Sequence, residues 1–115
     1  MKFNEQEEQE NVVTWLRLKY PDVLFSGGFA SCNLRPQQAM RRKRAGYKAG
    51  TPDIIFFEPR TGFHGMAIEM KKEKGGTVSP EQKEFLEKLS ARGYCVHICR
   101  GAAEARRDID EYFGG

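Results

Sequence analysis

The chain has no apolar run approaching the roughly 20 residues that a bilayer-spanning helix needs. Its opening, Met1-Lys2-Phe3-Asn4-Glu5-Gln6, also lacks the apolar stretch of a signal peptide. A cytoplasmic location is therefore expected. Cysteine is scarce: Cys32, Cys95 and Cys99 form an odd set without a paired framework, so reduced thiols are the expectation. Cys95, His97 and Cys99 alternate along an apparent strand and would share one face. A zinc site there lacks a fourth ligand, and same-face neighbours stand roughly 6.6 Å apart, so ordinary packing is the better reading. Acids are missing altogether between Arg35 and Lys48, and no repeat or low-complexity tract interrupts the chain.

What is present fits one soluble domain of 115 residues, able to bury a single core. The net charge is only +3, but it is unevenly spread. Arg35, Arg41, Arg42, Lys43, Arg44 and Lys48 form a basic block, whereas Glu5, Glu7, Glu8 and Glu10 crowd the start. A basic block beside acidic clusters suits a polyanionic partner and a place for metal ions, although a solvated helix face would look the same.

Hydrophobic periodicity and breakers divide the chain into eight elements. Val12, Val13, Trp15, Leu16 and Leu18 lie at helical spacing, which predicts a helix over 5–19 that Tyr20-Pro21-Asp22 ends. Val23 to Phe25 reads as a short strand before a Gly27-Gly28 turn, and 36–45 as a helix stopped by Gly46. The continuous apolar run 53–57 reads as a buried strand, and 66–71 as its antiparallel hairpin partner. Ser79-Pro80-Glu81-Gln82 is a helix start: a Ser cap, Pro at the first position and Gln three residues on. That helix ends at Gly93, and a strand over 94–99 and a helix over 102–113 complete an α-β-α-β-β-α-β-α order. The expected fold is α/β, a mixed sheet of about four strands flanked by helices, with a right-handed parallel crossover at the end.

Asp53, Glu69 and Lys71 carry the chemistry. Glu69 and Lys71, two apart on one strand, leave the same face, while Ile68 and Met70 point the other way into a core. Asp53 opens the neighbouring strand behind Gly50-Thr51-Pro52. Two carboxylates on adjacent strands can hold Mg²⁺ through oxygen, and a nearby lysine can stabilise charge on a reacting phosphate. The plain alternative is an exposed Glu69–Lys71 ion pair with Asp53 capping a turn.

Pro52-Asp53 followed by Glu69-Met70-Lys71 resembles the PD-(D/E)xK nuclease signature. The stretches 45–53, 68–72, 78–82 and 92–94 narrow the resemblance to the virus-type replication-repair nuclease (VRR-NUC) domain, over nearly the whole chain. The resemblance implies a restriction-endonuclease-like fold, with Asp53 and Glu69 as metal ligands and Lys71 as the catalytic lysine. It also implies that the Met70 carbonyl completes the metal shell and that an acid of the first helix joins the site. Glu5 is the first choice for that acid and Glu8 the second. Gln82 either points into the site or caps its own helix. One departure stands out: this chain has Asn33-Leu34-Arg35 where the family commonly has Asn-Gly-Gly.

The resemblance implies a DNA endonuclease dependent on Mg²⁺ or Mn²⁺, with Arg35, Arg41, Arg42, Lys43, Arg44 and Lys48 on the phosphates. Stand-alone viral members look like four-way junction resolvases, which predicts a homodimer on branched DNA. A surplus of aromatics (Phe25, Phe29, Phe63, Tyr94, Tyr112, Phe113) over what so small a core can bury would supply its interface. The alternatives are a flap-cutting monomer, as in domains fused within repair proteins, and a catalytically inactive nucleic-acid-binding module.

Overall fold

The computed structural model describes residues 4–27 and 35–115. Phe29, Cys32 and the Asn33-Leu34 departure lie outside the described residues, as does Gly28 of the expected turn.

The elements follow the predicted order: α1 (Glu5–Lys19), β1 (Phe25–Gly27), α2 (Pro36–Arg44), β2 (Ile54–Phe56), β3 (Gly65–Lys71), α3 (Pro80–Ala91), β4 (Tyr94–Arg100) and α4 (Ala102–Phe113). The four strands lie in sequence order in one sheet. The pairs β1–β2 and β2–β3 are antiparallel, and β3–β4, joined through α3, is parallel. Several boundaries move by one or two residues, and β1 and β2 move most. β1 starts at Phe25 rather than Val23, and β2 is trimmed to three residues, so that Asp53 sits just ahead of it. Phe57, the apolar residue of the run beyond the ladder, is half exposed and donates its N–H to the Leu24 carbonyl at 3.0 Å.

All seven residues of β3 are buried, as expected for a central strand covered on both faces. The pleat then sorts them. Met66, Ile68 and Met70 join Ile54, Phe56 and Cys99 under α1 and α4, where Val12, Leu16, Ala105, Ile109 and Tyr112 close the core. Gly65, Ala67, Glu69 and Lys71 take the opposite parity, the face covered by α3. Leu18, grouped with the apolar stripe of α1 in the sequence, is instead 80% exposed. It lies two residues beyond Leu16, almost half a turn around the helix.

The aromatic surplus expected from composition is largely consumed inside the fold. Tyr112 is buried and donates its hydroxyl to the Glu58 carbonyl at 2.5 Å. Phe113 packs against Tyr20, Phe56 and Tyr112, and Phe25 against Phe56. Of those aromatics that fall among the described residues, Phe63 alone is a large exposed apolar side chain, and it touches Tyr112. The short strands leave space that rings fill, so aromatic count is a poor guide to a second surface here.

Candidate active site

Extending the β2–β3 register by one step sets Asp53 opposite Glu69, on the α3 face of the sheet. Glu69 is 1% exposed, Asp53 6% and Lys71 7%. An exposed ion pair is therefore excluded: three charged side chains have been taken out of water in the middle of an apolar sheet.

Each is held by a specific partner. The Met70 N–H donates to Asp53 Oδ2 at 2.7 Å. Glu69 Oε2 accepts from Gln82 Nε2 at 2.8 Å. Gln82 at the same time accepts the Ser79 N–H at 2.9 Å through its own Oε1, while Ser79 Oγ takes the Gln82 N–H at 3.1 Å. The two readings of Gln82 are thus one geometry: its oxygen closes the capping box and its amide nitrogen faces the site. Behind them the loop before β2 runs close over the first turn of α3. Gly50 has φ +90°, and a Cβ there would lie 2.4 Å from the Glu81 carbonyl oxygen, so glycine is required.

The first helix separates its two candidate acids. Glu8 is buried and accepts the N–H of Ala102, capping α4, which has no side-chain cap of its own. Glu5 lies close enough to Glu69 for its charge to act on it. Its helical neighbour Gln9 donates to the Asp53 carbonyl at 3.3 Å. The i+4 spacing of Glu5 and Gln9, part of the resemblance to the family's opening pattern, places both on one side of the helix, and no catalytic or binding role is assigned to Gln9 from sequence.

Glu69 holds its proton well above the usual carboxylate range. Burial is the largest cause, followed by the charge of the facing Asp53; Lys71 opposes the shift and Glu5 adds to it. Glu69 Oε1 is buried without a hydrogen-bond partner. Two facing carboxylates with an unsatisfied oxygen need either a shared proton or a cation. The donors are hard oxygens, the set Mg²⁺ and Mn²⁺ prefer. Among the described residues, no group of three or more His, Cys, Asp or Glu side chains is arranged to hold a metal. A cation at the pair would therefore draw its remaining ligands from carbonyl oxygens and water, as Mg²⁺ commonly does.

The chain matches the VRR-NUC domain model over residues 3–103. It belongs to the VRR-NUC family. It is similar to a solved structure described as a "VRR_NUC domain protein", with a TM-score of 0.83 and 29% identity, covering 99% of this chain and 91% of that one. No curated protein matches it. As a VRR-NUC domain it is a nuclease of the PD-(D/E)xK type with a nucleic-acid substrate.

The basic block is less tightly placed. Arg35 precedes α2, and Arg41, Arg42, Lys43 and Arg44 form its last turn. Among the described residues α2 contacts no other helix or strand. Lys48, in the loop returning to Asp53, lies beside Thr51, Ile55 and Phe85 and near Glu84 of α3. Sequence reading also missed Arg100, which donates to the carbonyls of Lys72, Gly75 and Gly76 at 3.3, 2.7 and 3.2 Å and ties down the loop after Lys71. Nothing local in the sequence marks that role. On the far face, Cys95 Sγ lies 3.3 Å from His97 Nε2, and Cys99 donates to Asp108 at 3.3 Å. These side chains share a face as expected, and their contacts are packing and hydrogen bonds with no metal group among them.

Proposed function

We propose that this VRR-NUC domain is a Mg²⁺- or Mn²⁺-dependent, structure-selective DNA endonuclease. The observation carrying this reading is the buried Asp53–Glu69 pair with its unpartnered Glu69 oxygen and Lys71 on the same strand face. Asp53, Glu69 and the Met70 carbonyl would hold the metal, which when bound neutralises phosphate charge and acidifies a water. Lys71 places a point charge where negative charge develops on the phosphate. Gln82 fixes the orientation of Glu69, the Met70 N–H fixes Asp53, and Glu5 adds negative potential at the mouth. Arg35, Arg41, Arg42, Lys43, Arg44 and Lys48 bind backbone phosphates and so position DNA without reading its sequence. Cleavage of branched DNA with Mn²⁺ and none in EDTA is expected; full activity in EDTA would sink the mechanism.

The finer reading is a homodimer that nicks four-way junctions in the cytoplasm, two sites facing two symmetry-related strands. One site per small domain supports it, as does β4, which ends the sheet among the described residues and carries Ile98, 42% exposed. The second reading, a monomer that cuts flaps, is favoured by the internal use of the aromatics. Light scattering at micromolar concentration and nick mapping on an end-labelled junction separate the two.

A further inference from the structure

A second cleft opens on the same sheet face as the acidic pair. It has a volume of about 330 Å³ and is lined by Tyr47, Lys48, Thr51, Ile55, Phe57 and Phe85, among others. Along the pleat, Asp53, Ile55 and Phe57 share one parity, so Ile55 stands roughly 6.7 Å from Asp53 and Phe57 twice that. Thr51 is two residues from Asp53 on the other side. The cleft thus lies on the same strand face as Asp53, with Ile55 its lining residue nearest to the acidic pair and Phe57 farther along. Its walls are unusual for a surface that meets a polyanion. They are mainly apolar and aromatic, and Phe57 is 48% exposed although its neighbour Phe56 is fully buried. Lys48 supplies the cation at the rim.

Resting on the nuclease reading, we propose that this cleft receives an unpaired nucleobase of the DNA strand whose phosphate lies at Asp53 and Glu69. Rings of Phe57 and Phe85 offer stacking surfaces, which every base can use irrespective of sequence. Lys48 meets the adjoining phosphate. A paired base cannot leave its stack without cost, so the cleft selects DNA that already has an unpaired nucleotide beside the cut. Structure selectivity is then a property of this pocket, and α2 supplies the affinity that is indifferent to structure.

The test uses the full chain in EDTA, so that binding is read without cleavage. The probes are a duplex with a single-stranded arm carrying 2-aminopurine at its first unpaired position, and the matching blunt duplex. Stacking by an aromatic residue corresponds to a loss of about 5- to 150-fold on substitution by alanine. Phe57→Ala should therefore weaken binding of the arm at least about fivefold and leave the blunt duplex within twofold, while Phe57→Trp retains arm affinity. The wild-type protein should change 2-aminopurine emission only in the unpaired position. Equal losses on both DNAs, or an unchanged arm affinity with no emission change, would overturn the pocket. In that event, Mn²⁺-dependent cleavage by the wild-type protein would show that the nuclease reading still stands; its absence would remove both.

Discussion

Glu69 concentrates the conflict between folding and chemistry in a single side chain. Its carboxyl is almost wholly buried, faces Asp53, and has one oxygen without a partner. Replacing it with an isosteric amide removes an ionisable group that burial beside Asp53 keeps protonated above its ordinary range. Glu69→Gln should therefore raise metal-free stability by roughly 1–3 kcal/mol, a scale set by unsatisfied buried polar groups. Differential scanning fluorimetry in EDTA would show the higher Tm, and Mg²⁺ should then add nothing to it, whereas it stabilises the wild type by binding the folded state. A lower Tm for the variant would mean that Glu69 is a structural acid whose negative charge the fold needs.

At the scale of elements, α1 directs two acids three residues apart to different tasks. Glu8 caps α4, so Glu8→Ala leaves the Ala102 N–H unpaired and should cost about 1–3 kcal/mol in urea unfolding. Glu5→Gln, at a partly buried residue that caps nothing, should change unfolding stability by no more than about 0.5 kcal/mol and lower the cleavage rate. Equal stability losses would return the two residues to one structural class. On the proposed function, α2 contributes charge to DNA binding. Changing Arg41, Arg42 and Arg44 together to Ala should weaken DNA binding and flatten its dependence on log salt by up to about 3, at roughly 0.9 per lost phosphate contact. An unchanged slope would place the DNA on another face.

Across the whole molecule, the ends of α1 and α4 are joined by one polar cluster. Tyr20 donates to Asp110 Oδ1 at 2.5 Å, and Lys19 reaches the same oxygen at 2.8 Å. Burial first, and then the hydrogen bond to Asp110 and its charge, push the Tyr20 phenol up to about 12 from the usual 10. The folded value lies above the unfolded one, so this contribution is complete below pH 10 and is lost as pH rises toward 12. Asp110 is displaced the other way, downward, first by its hydrogen bond to Lys19, so its contribution is present at neutral pH and fades as acid protonates it. Both groups are only partly buried, so the effects are small. Urea midpoints measured from pH 9 to 12 should fall less for Tyr20→Phe than for the wild type; identical slopes would refute the assignment.

The sequence alone determined the order of elements, because hydrophobic period, Gly and Pro breakers, and the Ser79 capping box are local signals. It also determined the Asp53, Glu69 and Lys71 constellation, since period-two alternation puts Glu69 and Lys71 on one face whatever the strand pairs with. It left the division of labour between Glu5 and Glu8 open. Both lie on the first turns of one helix, and only the docking of α4 decides which is buried. Gln82 offered two readings because a single side chain can cap with its oxygen and reach with its nitrogen, which only tertiary placement reveals. Arg100 anchors a loop more than 20 residues away in sequence, and Phe57 becomes a wall only when the 46–51 loop and α3 settle across β2. Pairing partners distant along the chain carry no local pattern, so the tertiary structure decided them.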